Sequence, residues 1–200
     1  MSIAEKLVTI AENEQKVFEA GKRAEYDRFW DDFQQNGNKR NYRNAFFNWS
    51  ADNYNPKYPI IMTSQANDVF YYCKMTDTKV DISTTTGMTR CFSACTELVT
   101  IRKLTVTENV TYSADCFNDC FKLENITFEG IIGQDISFAD SPLLSKASIE
   151  NIFSVLSSTV KGKILTLNLA AVTTAFGGTD SQEWLDLIAT HSNWTANLSE

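Results

Sequence analysis

The chain has 200 residues, 43% of them hydrophobic and 22% charged, with a formal net charge of −7. That balance excludes a disordered chain and a general nucleic-acid binder, which needs clustered Lys and Arg against phosphate. No apolar run approaches the ~18 residues of a membrane span, and five cysteines, an odd number, exclude a complete disulfide framework within one chain.

The opening stretch "MSIAEKLVTIAENEQ" carries acids where a secretory signal carries a basic region and an apolar core, so no signal peptide is expected. Residues 2–35 contain no proline and one glycine and are predicted to form one long helix. Ile3, Leu7, Ile10, Val17 and Ala24 fall on a 3-and-4 spacing, the pattern of a seam between identical chains. The alternative is a helix packed back on its own domain. Lys39, Arg40 and Arg43 form a short basic stretch, but Asp31, Asp32 and Asp52 flank it, as in a solvated loop.

Residues 36–60 are rich in Asn and aromatics, with Asn36-Gly37 as a turn signal and Pro56 and Pro59 as breakers. They are expected to be a connector. Trp49, Tyr54 and Tyr58 either pack onto the next unit or stack on sugars.

From residue 61 the sequence repeats. "VFYYC" at 69, "CFSAC" at 91, "CFNDC" at 116 and "SFADS" at 137 recur at intervals of 22, 25 and 21 residues. Self-similarity at this period predicts a solenoid whose units bury their apolar edges against one another. Short extended runs follow the anchors: "LVTIRKLTV" from 98, "LENITFEG" from 123 and "PLL" from 142. Phe70, Phe92, Phe117 and Phe138 are expected to stack as an internal ladder, with Cys73, Cys95, Cys120 and Ser141 as a second. The rival reading is a four-thiolate zinc site, but zinc pairs are usually closer, on tight knuckles. Val69 and Ser137 also occupy the cysteine frame in the outer repeats, where a metal would not require it. The cysteines are therefore read as reduced and architectural, with no metal and no cofactor.

In the tail, Ile149, Ile152, Phe153 and Leu156 have helical spacing after Ser148, and "KILTLNL" alternates with Leu165, Leu167 and Leu169 inward. Gly177-Gly178 is a break, and Asp180 is a candidate N-cap with Glu183 three residues on. A terminal helix there would close the solenoid. The predicted fold is α+β: an N-terminal long helix, then a short β-rich solenoid over 61–200 with a C-terminal capping helix.

Catalytic constellations are scarce. His191 is the only histidine and sits far along the chain from any cysteine, and no Gly-rich phosphate loop precedes a helix. Asp31-Asp32 and Asp135 with Asp140 are carboxylate pairs without acid–base context. No catalytic residue is assigned. The candidate ligand-facing residues are the outward polar positions Arg102, Asn125, Thr127, Thr166 and Asn168.

Phe92, Cys95, Leu98 and Ile101, and again Phe117, Cys120, Leu123, Ile126 and Phe128, resemble the unit of BspA-type leucine-rich repeats. The head "IAENEQKVFEAGKRAEYDRFWDDFQ" and the tail from Ile152 are similar to segments flanking such repeats in phage and prophage proteins of gut bacteria. The resemblance implies a virion location after synthesis in the host cytoplasm, with a tail- or fibre-associated adhesion role. It implies as partners other virion proteins and a host-surface glycan or protein, and a homo-oligomer, with a trimer favoured. The alternative is a structural or assembly protein that docks through its helix and uses the repeats as spacer.

Overall fold

The computed structural model describes residues 59–62, 66–79, 81–85, 87–113 and 115–200, together with Asn13. Its elements are β1 (Ile60–Met62), β2 (Ile82–Thr84), β3 (Thr100–Val106), β4 (Asn125–Gly130), β5 (Ile136–Phe138), α1 (Lys146–Ser154), β6 (Lys163–Asn168), α2 (Leu169–Phe176), α3 (Gln182–Ala189) and β7 (Trp194–Ser199). The strands form two sheets, ordered β1-β2-β3-β4 and β5-β6-β7. Every pairing is parallel. Parallel neighbours require the chain to travel back between strands, and the repeat period supplies that length.

Equivalent repeat positions meet in register. Ile60 pairs with Ile82, Ile82 with Leu104, and Leu104 with Phe128, and all four are buried. Between the Ile101–Ile126 and Leu104–Phe128 pairs, β3 holds one residue more than β4. This bulge lies at Arg102 and Lys103, the first exposed and the second half-exposed.

On another side of the coil the phenylalanines stack. Ring centroids are 5.2 Å apart for Phe70–Phe92, 5.5 Å for Phe92–Phe117 and 4.7 Å for Phe117–Phe138. Two residues after the first three rings, Tyr72, Ala94 and Asp119 take the left-handed conformation, with φ of 60°, 57° and 57°. The chain turns at the same place in each of these three units. The cysteines secure that turn. Cys95 Sγ donates to the Phe70 carbonyl at 3.0 Å, and Cys120 Sγ to the Phe92 carbonyl at 3.2 Å, so each thiol ties its repeat to the one before.

The outer edge of β4 would expose unpaired backbone groups, but α1 covers it. Ser145 caps α1, its side chain accepting from the Ser148 N–H. Ser148 Oγ then accepts from the Ile126 N–H at 3.0 Å. Asn151 accepts from the Phe128 N–H at 2.6 Å and donates to the Phe128 carbonyl at 3.2 Å. Helix side chains thus take the place of the next strand. Trp184 of α3 packs against Phe153 of α1 and Phe176 of α2, with centroids 5.8 and 5.5 Å away, and one continuous core runs from Ile60 to Trp194.

This corrects the predicted fold class. The repeats do not form a single β-rich solenoid closed by a C-terminal capping helix: the described residues form two parallel sheets, with three short helices among the strands of the second. The last element is β7, which pairs with β6 over six registers from Lys163–Trp194 to Asn168–Ser199. Trp194 is buried while Thr195 and Asn197 are exposed, the alternation of a strand covered on one face. The extended run expected from Pro142 is a turn leading into α1, because Ser145 starts a helix there. Leu169 begins α2 rather than ending β6, and Ser181, not Asp180, caps α3. The predicted long helix over 2–35, apart from Asn13, lies outside the described residues. So do its seam residues Ile3, Leu7, Ile10, Val17 and Ala24, and nearly all of the connector.

Candidate functional site

The charged outward residues of β3 and β4 are paired within the molecule. Arg102 makes two bonds of 2.9 Å to Asp77. Burial alone would raise the Asp77 carboxyl, but Arg102 and the Lys79 N–H outweigh it and hold the group below its usual range. Lys103 bridges Asp81 at 3.0 Å and Glu129 at 3.3 Å, and Thr105 donates to Glu129. Asn125 accepts from Ser145 Oγ at 3.3 Å. Of the candidates on this sheet, only Thr127 has an exposed side chain with no partner within the described chain.

The second sheet differs. Ser137 of β5 is in register with Thr166 of β6, and Thr166 with Asn197 of β7. This gives a row of hydroxyl and amide groups across the sheet's outer face. Asn168 is not free to join it: it is buried, donates to the Ala139 carbonyl at 2.6 Å, and caps α2 by accepting from the Ala170 N–H. Thr166 is therefore the one candidate here with an uncommitted side chain. The sequence does not single out the residues that surround it, Ser137 and Asn197: Ser137 stands in the cysteine frame as a variant, and the alternation marking β7 lies within the last seven residues.

Beside this row the stack opens. In the preceding repeats the backbone ladder is continuous: Met88 N–H donates to the Thr111 carbonyl at 2.8 Å, and Ser113 N–H donates to the Met88 carbonyl at 3.3 Å. Because alternate residues of a strand face opposite neighbours, Tyr112 turns its own N–H and C=O towards the next repeat. The Asp135 carbonyl and Ser137 N–H would complete that rung, but among the described residues no backbone bond joins 112–119 to 135–140. A cleft of about 310 Å³ takes its place, lined by Tyr112, Ser113, Asp135, Ile136, Ser137, Ile164 and Thr166. The opening is local. On one side a Cβ at Gly133 would overlap the Glu108 carbonyl oxygen; on the other, Phe117 and Phe138 are in ring contact.

All five cysteines are free and buried. Burial pushes the Cys91 and Cys95 thiols up and raises Cys116 to about 12, so they are protonated at neutral pH. His191 follows α3, with Nδ1 2.8 Å from Thr190 Oγ1 and 3.2 Å from the Leu187 carbonyl. Glu108 accepts from Ser157 and Thr159 at 2.5 and 2.8 Å, and these two hydroxyls hold its carboxyl below the usual range. Among the described residues no group of three or more His, Cys, Asp or Glu is placed to hold a metal, and no helix is long and apolar enough to cross a membrane. Comparison with family models, with curated proteins and with solved structures finds no match.

Proposed function

We propose that the chain is a non-enzymatic binding module, a virion-borne adhesion protein related to BspA-type repeat proteins, that holds host-surface material on the outer face of its stacked repeats. The observation that carries this reading is the contrast between the two sheets. The first sheet's charges are neutralised within the molecule, whereas Thr166 and Asn197 present unspent hydrogen-bonding groups beside an open cleft. Protonated, buried thiols and a histidine tied to its own helix end fit a binder better than a catalyst. Hydrogen bonds to such a face mostly exchange for bonds to water, so each site is expected to bind weakly. Homo-oligomerisation through residues 1–35, with a trimer favoured, is part of the proposal, because joined sites can raise apparent affinity by ~10²–10⁴.

The test is retention of the full-length chain on cell envelopes of gut bacteria, compared with Asn197→Lys on the second sheet and Thr127→Lys on the first. Loss with Asn197→Lys alone supports the reading. Absence of retention by the native chain removes it and leaves the structural, spacer reading.

A further inference from the structure

We propose that the cleft between Tyr112 and β5 binds one uncharged sugar ring, free or at the end of a longer glycan; this rests on the binding reading above. Shape is the first argument. The cleft's volume of about 310 Å³ lies at the small end of the range for ligand pockets. Close contact at Gly133 and the Phe117–Phe138 stack bound it. A peptide adding as a strand needs an open-ended edge along which to run. The gap lies between a close backbone approach at Gly133 and a ring stack at Phe117–Phe138, so it admits a compact ligand.

The second argument is the chemistry of the lining. Ser113 Oγ already accepts from the Arg90 N–H at 3.2 Å, and Ser137 Oγ from the Ala139 N–H at 3.3 Å. Each hydroxyl keeps its proton to donate. Thr166 can do both. Tyr112 and Ser137 offer backbone N–H donors, and Tyr112 and Asp135 offer carbonyl acceptors. Asp135 Oδ1 is held by the Ile164 N–H at 2.9 Å, which fixes the carboxylate as a further acceptor. A ligand whose groups each donate and accept matches this mixture, and sugar hydroxyls have that property. Ile164, 42% exposed, supplies an apolar wall for the C–H face of a ring. Among the described residues no Lys or Arg lines the cleft, so the one charged group an anion would meet there is the Asp135 carboxylate.

The experiment uses full-length protein and methyl glycosides of glucose, galactose, mannose, N-acetylglucosamine and N-acetylgalactosamine. Sialic acid and glucose 6-phosphate serve as anionic probes, and an alternating Val-Thr pentapeptide as a strand probe. Binding is read by ligand-observed NMR and titration calorimetry. At least one neutral glycoside is expected to bind. Thr166→Lys should weaken that binding tenfold or more and Thr127→Lys should leave it unchanged. Thr166→Val, which keeps the shape and removes only the hydroxyl, should weaken it threefold or more and stands in should the lysine variant fail to fold. The proposal is overturned if no neutral glycoside binds, if the anions bind equally well, if both Thr166 variants bind like the native chain, or if the pentapeptide is the probe that Thr166→Lys displaces. Envelope retention that survives such a result leaves the adhesion reading standing with the cleft empty of sugar; loss of retention itself removes both.

Discussion

At the scale of single residues, the fourth repeat shows what the cysteines do by lacking one. Cys95 and Cys120 each donate to the carbonyl of the preceding ladder phenylalanine. Ser141 stands at the same place, fully buried, and its hydroxyl has no partner. An unsatisfied buried hydroxyl costs about 1–3 kcal/mol. A thiol is larger, more apolar and a weaker donor, so it suffers less when unpaired and reaches farther when paired. Ser141→Cys is therefore expected to stabilise the protein by about 1 kcal/mol, and Ser141→Ala to be neutral or stabilising. Denaturant midpoints measure both. Destabilisation by each variant would mean that the hydroxyl finds a partner in solution, such as a buried water. The sequence showed Ser141 as the fourth member of the cysteine column, because a site that tolerates Cys or Ser is small and weakly polar. It could not show that the serine's bond fails. The missing bond goes with the parting of the two backbones, which no bond joins between 112–119 and 135–140 among the described residues, and no residue type announces that parting.

At the scale of elements, the contact between β3 and β4 rests on close backbone approach at its C-terminal end. Gly130 has φ of 99°, and a Cβ there would overlap the Val106 carbonyl oxygen. Gly130→Ala combines backbone strain with a clash against backbone, so a loss of about 1–3 kcal/mol is expected, read as a lower denaturation midpoint. The cover of β4 is equally specific. Asn151→Ala removes both side-chain bonds to Phe128 and leaves its N–H and C=O unpaired at a sheet edge, which should cost about 2 kcal/mol and promote association measurable by light scattering. The strands were legible because Ile126 and Phe128 alternate with polar residues. The substitution of a helix for the fifth strand was not, since "PLL" keeps the repeat's look until Ser145 caps α1. Two carboxylates also join elements, Asp77 to Arg102 of β3 and Glu108 to the Ser157–Thr159 turn. Both are held below their ordinary range. Their contribution is thus fully present above that range and is lost as pH falls through their lowered values. Stability should decline below about pH 4, and Asp77→Asn with Glu108→Gln should flatten that decline in denaturation midpoints taken between pH 7 and pH 3.

At the scale of the whole molecule, the two sheets share one core although their hydrogen-bonded ladders are separate. The phenylalanine stack crosses the break without interruption, from Phe117 to Phe138 at 4.7 Å. The repeat was readable across this boundary because ring packing kept the same period on both sides. The division into two sheets was not, because hydrogen bonding followed the backbone and the backbone parted at Tyr112. Which of the two couplings governs opening can be measured through the thiols. Cys73, Cys91, Cys95, Cys116 and Cys120 are each no more than 2% exposed, and burial raises the thiols of Cys91, Cys95, Cys116 and Cys120. The thiolate is the reactive form, so a disulfide reagent must wait for the chain to open. A stack in which each unit contacts only its neighbours can fray from an end; a core continuous through both sheets should open as one. We expect the five thiols of the native protein to react at one common rate, and that rate to be slowed by Ser141→Cys, whose added thiol is counted separately by peptide mass. Cys73 reacting well ahead of Cys116 and Cys120 would show instead that the β1 repeat opens independently, and that the break at Tyr112 divides the molecule in stability as well as in hydrogen bonding.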